Sequence, residues 1–227
     1  IDENSFSKYN ELVNLISKKM KWKKDTKDRI VIFTERIKTL EFLKEHLQND
    51  LKLNDDAIVT MTGSTMSDIE INKVVEDFGQ ENSKVRLLIA TDVASEGINL
   101  HYLSHRLIHF DIPWSLMTFQ QRNGRVDRYG QEENPEIYYM QTLSQDEEFK
   151  GDNRILEILI TKDEQAAQNI GDPSAFLNVY DAKEEEQIIA EAMASGIDTD
   201  EFSKKLDANA EEAEFDWLSS LNDTDDE

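Results

Sequence analysis

The chain has 227 residues and a mass of 26.3 kDa, enough for one large domain or for one domain with an appendage. It contains no cysteine, which excludes disulfide frameworks, thiolate metal sites and cysteine nucleophiles. The formal net charge of -23 argues against a nucleic-acid partner, because binding a phosphate backbone requires a local excess of lysine and arginine.

This acidity is concentrated near the end of the chain. Residues 181–227 hold 17 acidic and 3 basic residues, so the average charge describes the remaining surface poorly. The longest uninterrupted apolar runs have four residues, far below the ~18 that cross a bilayer, and no basic segment followed by an apolar stretch lies near residue 1. We therefore expect no membrane span and no signal peptide. The absence of cysteine favours the cytoplasm, and because residue 1 is not methionine we expect this chain to be part of a longer one.

Short apolar runs recur along the chain, each followed by a polar amphipathic stretch, and this alternation is typical of an α/β domain. Runs that are apolar throughout suit strands buried on both faces of a parallel sheet. The predicted strands are residues 29–34, 57–62, 85–91, 105–112 and 136–143. The pattern predicts a mostly parallel sheet with helices on both faces.

Apolar residues at helical spacing predict the helices between and around these strands. The predicted helices are residues 6–20, 37–47, 69–78, 155–170 and 184–194. Ser67 is the predicted N-cap of the third, with Glu70 completing a capping box. We expect a turn at 171–173 and a helix stop at Gly196.

Four segments are predicted along the chain. They are a leading helix (1–27), the α/β domain (28–150), a C-terminal helical extension (151–197) and an acidic tail (198–227). The tail has few apolar residues, which predicts disorder or loose docking. It combines dense negative charge with a small apolar cluster near 215–221, a pattern that suits docking on a basic surface or contact with a partner protein.

Residues 119–131, FQQRNGRVDRYGQ, form the most informative segment. On a helix, Gln121, Arg125 and Arg128 fall at i, i+4 and i+7, so one amide and two guanidinium groups share a stripe. Gly124 costs ~1 kcal/mol relative to alanine in a helix interior, so close backbone approach explains it better. A solvated arginine-rich face with salt bridges to this acidic protein is the alternative interpretation.

Residues 87–100, LLIATDVASEGINL, form a second segment, in which a buried strand ends at Thr91 and Asp92 and runs into a small-residue turn around Gly97. Ligands of parallel sheets lie at such strand ends, where backbone amides and the Thr91 hydroxyl could hold phosphate. The alternative is an ordinary connection in which Thr91 or Asp92 caps a helix. Residues 60–67, TMTGSTMS, also place hydroxyls at a strand end, but such residues are usual in turns.

Together, these segments resemble the second RecA-like lobe of superfamily 2 helicases and translocases. VIFTER is similar to motif IV, IATDVASEGINL to motif V and QQRNGRVDRYGQ to motif VI, whose family form is Q-R-x-G-R-x-x-R. The run from Leu107 to Gln131 is similar to the Swi/Snf-type branch, and within it to the bacterial RNA-polymerase-recycling ATPase type. The resemblance covers about residues 29–143 and implies a RecA-like three-layer domain.

In that family ATP lies between two RecA-like lobes, and the resemblance implies that this lobe supplies arginine fingers. By motif position the fingers are Arg125 and Arg128, and a rigid guanidinium near the γ-phosphoryl group can be worth ~10³ to 10⁵ in rate. The resemblance further implies three kinds of contact: Gln121 near the γ-phosphate or attacking water, Gly97 and Asn99 at the nucleotide edge, and Thr91 and Ser64 on the nucleic-acid backbone.

The sequence holds no G-x-x-x-x-G-K-[ST] loop and no acidic Walker B strand end. The resemblance therefore implies that ATP and Mg²⁺ are held mainly by an N-terminal RecA-like lobe of the same protein, and we expect this segment not to hydrolyse ATP unaided. DNA is the expected substrate, and no membrane partner is expected.

Two other functions stay open. The first is an RNA or single-strand helicase of the same superfamily. The second is a non-catalytic RecA-like adaptor, although a scaffold has no need of two arginine fingers. A metal site at His101, His105 and His109 is not expected, because HRLIHFD has the pattern of a strand.

Overall fold

The computed structural model describes residues 6–63, 65–92, 100, 104–142, 151–168, 186–187 and 189–191. Within these residues the chain forms one sheet of five parallel strands in the order β2-β3-β1-β4-β5. The strands are β1 Ile30–Phe33, β2 Ile58–Met61, β3 Leu87–Ala90, β4 Arg106–His109 and β5 Glu136–Tyr139. All five predicted strands are confirmed.

Strand β1 lies at the middle of the sheet, between β3 and β4. The three strands are in matched register, with Ile30 opposite both Leu87 and Arg106. Every residue of β1 and β3 is buried, as their continuous apolar sequences predict. Because the strands are parallel and aligned, their carboxyl ends lie together at one edge of the sheet.

The helices that precede and follow these strands lie close to the predicted positions, apart from the helix at Leu116–Asn123, for which no bounds were predicted. They are α1 Ser7–Asn14, α2 Ile37–Asp50, α3 Asp68–Gly79, α4 Leu116–Asn123 and α5 Gly151–Gln168, with a π-helix at Leu15–Lys19 and a 3-10 turn at Asp55–Ala57. The capping box of α3 is confirmed: the Ser67 hydroxyl accepts from the Glu70 N–H (3.4 Å), and the Glu70 carboxylate accepts from the Ser67 N–H (2.8 Å). No helix in the described part of the chain is long and apolar enough to cross a membrane.

Apolar residues form a core on each face of the sheet. On one face, Ile30 and Ile32 pack in a cluster that includes residues of α1, the π-helix and α2. On the other face, Val31 and Phe33 pack in a cluster that includes Phe78 of α3. The result is the expected three-layer arrangement, in which the leading helix contributes to one of the cores. The predicted boundary at residue 27 stays a prediction.

The chain divides into two compact units, Ile1–Ile112 with Gln121–Thr142, and Pro113–Gln120 with Leu143–Glu227. The sheet belongs to the first. In the second unit α5 buries apolar residues such as Ile155 and Leu159, and its Asp163 accepts a hydrogen bond from the Gln120 amide (2.9 Å).

The C-terminal predictions fall only partly on described residues. Helix α5 confirms the predicted helix at 155–170 with an earlier start, and residues 186–187 and 189–191 are helical. The predicted turn at 171–173, the stop at Gly196 and the tail at 198–227 lie outside the described residues.

Candidate functional site

Residues from the three motif-like segments meet at the carboxyl edge of the sheet. Thr34 follows β1, and its N–H donates to the Ala90 carbonyl at the end of β3 (3.1 Å). Thr91 follows β3, is buried, and donates its N–H to the Met61 carbonyl at the end of β2 (3.0 Å). This is the edge at which open parallel sheets bind their ligands.

A buried ion pair joins the end of β3 to the last turn of α4. Arg122 Nε lies 2.5 Å from Asp92 Oδ1, and Arg122 Nη2 lies 2.7 Å from Asp92 Oδ2. The Arg122 side chain is only 1% exposed, whereas that of Asp92 is 31% exposed. A two-point contact of this kind fixes the orientation of the guanidinium as well as its position.

The remaining contacts of Arg122 tie it to strands β4 and β1. Its Nη1 donates to the Asp111 carbonyl (2.7 Å) and lies 3.3 Å from His109 Nδ1. The guanidinium carbon lies 5.5 Å from the centre of the Phe33 ring, an arrangement that favours a cation–π interaction. We call the five residues Phe33, Asp92, His109, Asp111 and Arg122 the Arg122 network.

His109 is held in the neutral form within this network. Burial and, after it, the charge of Arg122 lower its pKa to about 3. A neutral imidazole has one N–H, so Nδ1 accepts from Arg122 and Nε2 donates to the Asn123 side-chain oxygen, 2.8 Å away. The ring also stacks on Tyr139 of β5, with 4.7 Å between ring centres. Both ring nitrogens are therefore used within the protein, and His109 lies in strand β4 as expected.

Asp111 connects the network to β1 and to the leading helix. One carboxylate oxygen accepts from the Thr34 hydroxyl (2.5 Å) and from the Glu35 N–H (3.2 Å). The other lies 3.9 Å from Lys8 Nζ of α1. The motif IV-like segment at Thr34 is thereby fixed to the same edge as the segments at Asp92 and Arg122.

The prediction of one helical stripe for Gln121, Arg125 and Arg128 is wrong. Helix α4 ends at Asn123, and the chain continues in turns, with the Arg125 N–H bonded to the Arg122 carbonyl at 3.1 Å. Gly124 gives the physical reason, since glycine is unfavourable inside a helix and common just after one. It therefore lies after the helix and not in a helix interior.

Val126 anchors this turn. It is fully buried in the apolar core that contains Phe33, while Arg125 on one side is half-buried and Arg128 on the other is exposed. The Gln131 amide donates to the Val126 and Ser104 carbonyls, both at 3.0 Å. The two arginines are thus presented by a turn that is fixed at both ends.

The described structure brings some of the predicted site residues to this edge. Thr91 adjoins Asp92, Gln121 is half-buried beside Arg122, and Arg125 is the second residue after α4. Ser64, Gly97 and Asn99 lie outside the described residues. No group of three histidines, cysteines or carboxylates suited to a metal occurs in the described part.

Sequence reasoning missed Arg122 and the carboxylate Asp111. A signal was present: Leu116, Phe119 and Arg122 lie three residues apart in α4, and all three are buried. An arginine on the apolar stripe of a helix requires a buried partner. The partner, Asp92, lies 30 residues earlier, so only the order of the strands reveals the pair.

Residues 7–130, more than half of the chain, match the family described as "Helicase conserved C-terminal domain". The chain belongs to this helicase family. The resemblance inferred from motifs IV to VI is confirmed. In this helicase C-terminal domain, the Arg122 network joins the segments that resemble all three motifs.

Two curated relatives are longer proteins, of which the chain matches a part. It is 28% identical over 215 residues to "Uncharacterized ATP-dependent helicase YqhH" of Bacillus subtilis, covering 91% of this chain and 36% of YqhH. It is 30% identical over 146 residues to "RNA polymerase-associated protein RapA" of Vibrio cholerae, covering 63% of this chain and 14% of RapA. The chain therefore spans about a third or less of the length of these relatives.

A solved structure supports the fold of this helicase C-terminal domain. The second domain of the DEAD-box helicase Mss116p, solved bound to an RNA duplex, has a TM-score of 0.53 and 22% sequence identity. The match covers 68% of this chain and 54% of that chain. The RecA-like α/β fold is therefore confirmed.

Proposed function

We propose that this chain is the C-terminal motor lobe of an ATP-dependent DNA helicase or translocase of the Swi/Snf-like type. In this proposal it supplies Arg125 and Arg128 as arginine fingers to ATP bound on an N-terminal RecA-like lobe. The observation that carries the proposal is the ion pair of Arg122 with Asp92. It joins the segment bearing the two arginines to the strand end bearing Thr91, and a lobe that couples nucleotide to nucleic acid needs such a link.

The positions of the two arginines suit contact with a phosphate held on another body. Arg128 is exposed and Arg125 half-buried, on a turn that Val126 and Gln131 hold in place. During phosphoryl transfer, charge spreads over the γ-phosphoryl oxygens, and a guanidinium whose position is fixed beforehand stabilises that charge without reorganising.

The chemistry of this edge fits ATP phosphates better than Mg²⁺. Its candidate ligands are guanidinium groups and an amide, which bind anions or neutral polar groups. The acidic groups nearby are already used: both oxygens of Asp92 contact Arg122, and Asp111 accepts from Thr34 and Glu35. We therefore assign Mg²⁺ and the phosphate cradle to the N-terminal lobe, which supplies the metal-bound nucleotide.

The other contacts follow from the resemblance and keep their proposed roles. Gln121 lies near the γ-phosphate or attacking water, Gly97 and Asn99 at the nucleotide edge, and Thr91 and Ser64 on the nucleic-acid backbone. The partners are DNA and the N-terminal lobe, with a protein partner or a basic surface for the acidic tail. A cytoplasmic location follows, because a bacterial motor of this type works where its DNA lies.

An RNA or single-strand helicase is the other function to be tested. The solved relative with a bound RNA duplex is similar in fold alone, and a fold does not specify the polymer. A non-catalytic adaptor is disfavoured, because the two arginines of motif VI are both present. The polymer that stimulates ATP hydrolysis by the intact protein decides between DNA and RNA.

The experiment compares ATP hydrolysis by the intact protein and its Arg125→Ala, Arg128→Ala, Arg125→Lys and Arg128→Lys variants, with DNA and RNA duplexes. We expect each alanine variant to lower kcat by at least ~10²-fold while DNA affinity stays nearly unchanged. The lysine variants should lose most of the rate as well, because they keep the charge but not the planar fork.

The controls are the exposed helix variant Lys73→Ala, which should hydrolyse normally, and the isolated 227-residue chain, which should release no phosphate. Variants that bind DNA weakly and still hydrolyse ATP would show that the arginines are nucleic-acid clamps.

A further inference from the structure

A short basic segment stands out against the acidity of the chain. Residues 18–29 contain seven basic and two acidic residues, a net charge of +5, in a chain whose net charge is -23. We call this segment, which joins the π-helix to β1, the basic turn. It includes six lysines, all exposed: Lys18, Lys19, Lys21, Lys23, Lys24 and Lys27.

The basic turn is a defined structure with a buried anchor. Trp22 is buried in the core, and its indole N–H donates to the Asp28 carbonyl (2.9 Å). The Thr26 N–H and hydroxyl both contact the Lys23 carbonyl, at 3.1 and 2.8 Å. Lys24 Nζ donates to the Lys52 carbonyl (3.1 Å), which brings the segment against the end of α2.

Few of these charges are neutralised by the rest of the domain. Lys19 pairs with Glu11 and Lys27 with Glu81. The ammonium groups of Lys21, Lys23 and Lys52 make no ion pair with any residue that the structure describes. Of the two acidic residues, Asp28 is paired with Arg106. The basic turn therefore presents a positive surface at the amino edge of the sheet, about one strand length (~13 Å) from the carboxyl edge that holds the Arg122 network.

Two exposed lysines, one in the basic turn and one beside it, have an unusual backbone conformation. Lys21 (φ 51°) and Lys52 (φ 53°) are the only non-glycine residues with positive φ in the described part of the chain. Each lies one residue past the C-cap of a helix, Met20 or Leu51, a position where glycine is usual. A non-glycine residue in this conformation costs free energy that glycine would avoid, and here the side chain kept at that cost is an exposed ammonium each time.

The composition of the surface decides what it binds. Protein interfaces are enriched in tryptophan, tyrosine and arginine and depleted of lysine, but here Trp22 and Arg29 are buried, and the exposed residues of the basic turn are its six lysines with Asp25 and Thr26. Lysine binds phosphate as a flexible point charge, without reading bases. We infer that the basic turn with Lys52 is a second nucleic-acid surface, which holds the phosphate backbone of a duplex independently of its sequence.

This surface is separate from the arginine fingers and needs no ATP, so its test is independent of the proposed catalytic role. Binding of the complete chain to a labelled duplex DNA of arbitrary sequence is measured by fluorescence anisotropy between ~0.05 and ~0.2 M salt. The test variant is Lys21→Gly with Lys52→Gly, which removes two charges where glycine fits the backbone better. Its melting temperature should not fall, so a loss of binding is not a loss of fold.

Two double variants serve as controls. Lys44→Ala with Lys73→Ala removes the same charge from exposed helix positions, and Lys21→Arg with Lys52→Arg keeps the charge of the basic turn. We expect the glycine variant to bind about tenfold more weakly at low salt, with a slope of log K against log salt smaller by about two, while both controls bind like the unchanged chain.

Equal affinity of the glycine variant and the unchanged chain for duplex DNA would overturn the inference. The lysines would then contact an acidic protein partner or solvent alone. An equal loss in the Lys44 and Lys73 control would overturn it as well, because the effect would then be one of net charge. Failure of the unchanged chain to bind duplex at low salt has the same consequence.

Discussion

Arg122 is a charged residue in the interior that uses all three of its nitrogens. Nε and Nη2 contact Asp92, and Nη1 contacts the Asp111 carbonyl. Burying a charge is costly unless it is paired and hydrogen-bonded, and removing the partner leaves the full cost of desolvation. The network therefore ties the fold of this edge to the presence of Asp92.

Asp92→Asn should lower the free energy of unfolding by about 2 kcal/mol, because asparagine keeps the shape but leaves a buried guanidinium without a counter-charge. The 31% exposure of the Asp92 side chain keeps the loss below that of a fully buried pair. Urea denaturation followed by circular dichroism measures it. Asp127→Asn, the same change at an exposed position, should shift stability by less than ~0.5 kcal/mol, and equal losses would contradict the prediction.

His109 should make the domain sensitive to mild acid. In the unfolded chain a histidine takes up a proton near its usual pKa of ~6.5, whereas the folded pKa is lowered to about 3. The unfolded state therefore binds more protons in this window, and stability falls as pH drops from ~6.5 towards 3.

Glutamine at this position cannot titrate. Between pH 7 and pH 5, the free energy of unfolding of His109→Gln should therefore fall by up to about 2 kcal/mol less than that of the unchanged chain. Denaturant titrations at the two pH values give the comparison. Parallel losses in both proteins would assign the acid sensitivity to other groups.

At the scale of elements, helix α3 shows how a local sequence signal fixes a start. Ser67 and Glu70 satisfy each other's backbone N–H groups at the first turn, directly after the hydroxyl-rich segment that follows β2. Ser67→Ala should lower the free energy of unfolding by about 1 kcal/mol. The control is Ser17→Ala, which removes a hydroxyl that donates to the Val13 carbonyl and should change the free energy of unfolding by less than ~0.5 kcal/mol. Urea unfolding of the two variants measures the difference, and equal losses would contradict the prediction.

The elements that the sequence predicts well are those with local causes. The four-residue strands follow from continuous apolar runs, and α2 and α3 follow from apolar spacing. The end of α4 was missed because the spacing of Gln121, Arg125 and Arg128 fits a helix as well as a turn. Gly124 and the burial of Val126 favour the turn over a longer helix, and the burial of Val126 depends on tertiary contacts that the local sequence does not show.

At the scale of the whole chain, the α/β class and the family were within reach of the sequence, since alternating elements and three ordered motifs indicate both. The order of the strands in the sheet could not be predicted from the sequence, because every possible order of parallel strands has the same local sequence patterns. That order places β1 between β3 and β4, and with it Asp92 beside Arg122. The candidate site was therefore predicted as separate motifs, and the link between them required the fold.

The Arg122 network has a mechanical consequence. A salt bridge closed by two hydrogen bonds resists shear, because relative sliding of the end of β3 and the last turn of α4 breaks both bonds together. The strand end at Asp92 and the start of the turn bearing Arg125 are then one stiff piece. If the domain is the motor lobe that we propose, this piece would pass displacement on, and a push at the turn bearing Arg125 would reach the end of β3 as movement.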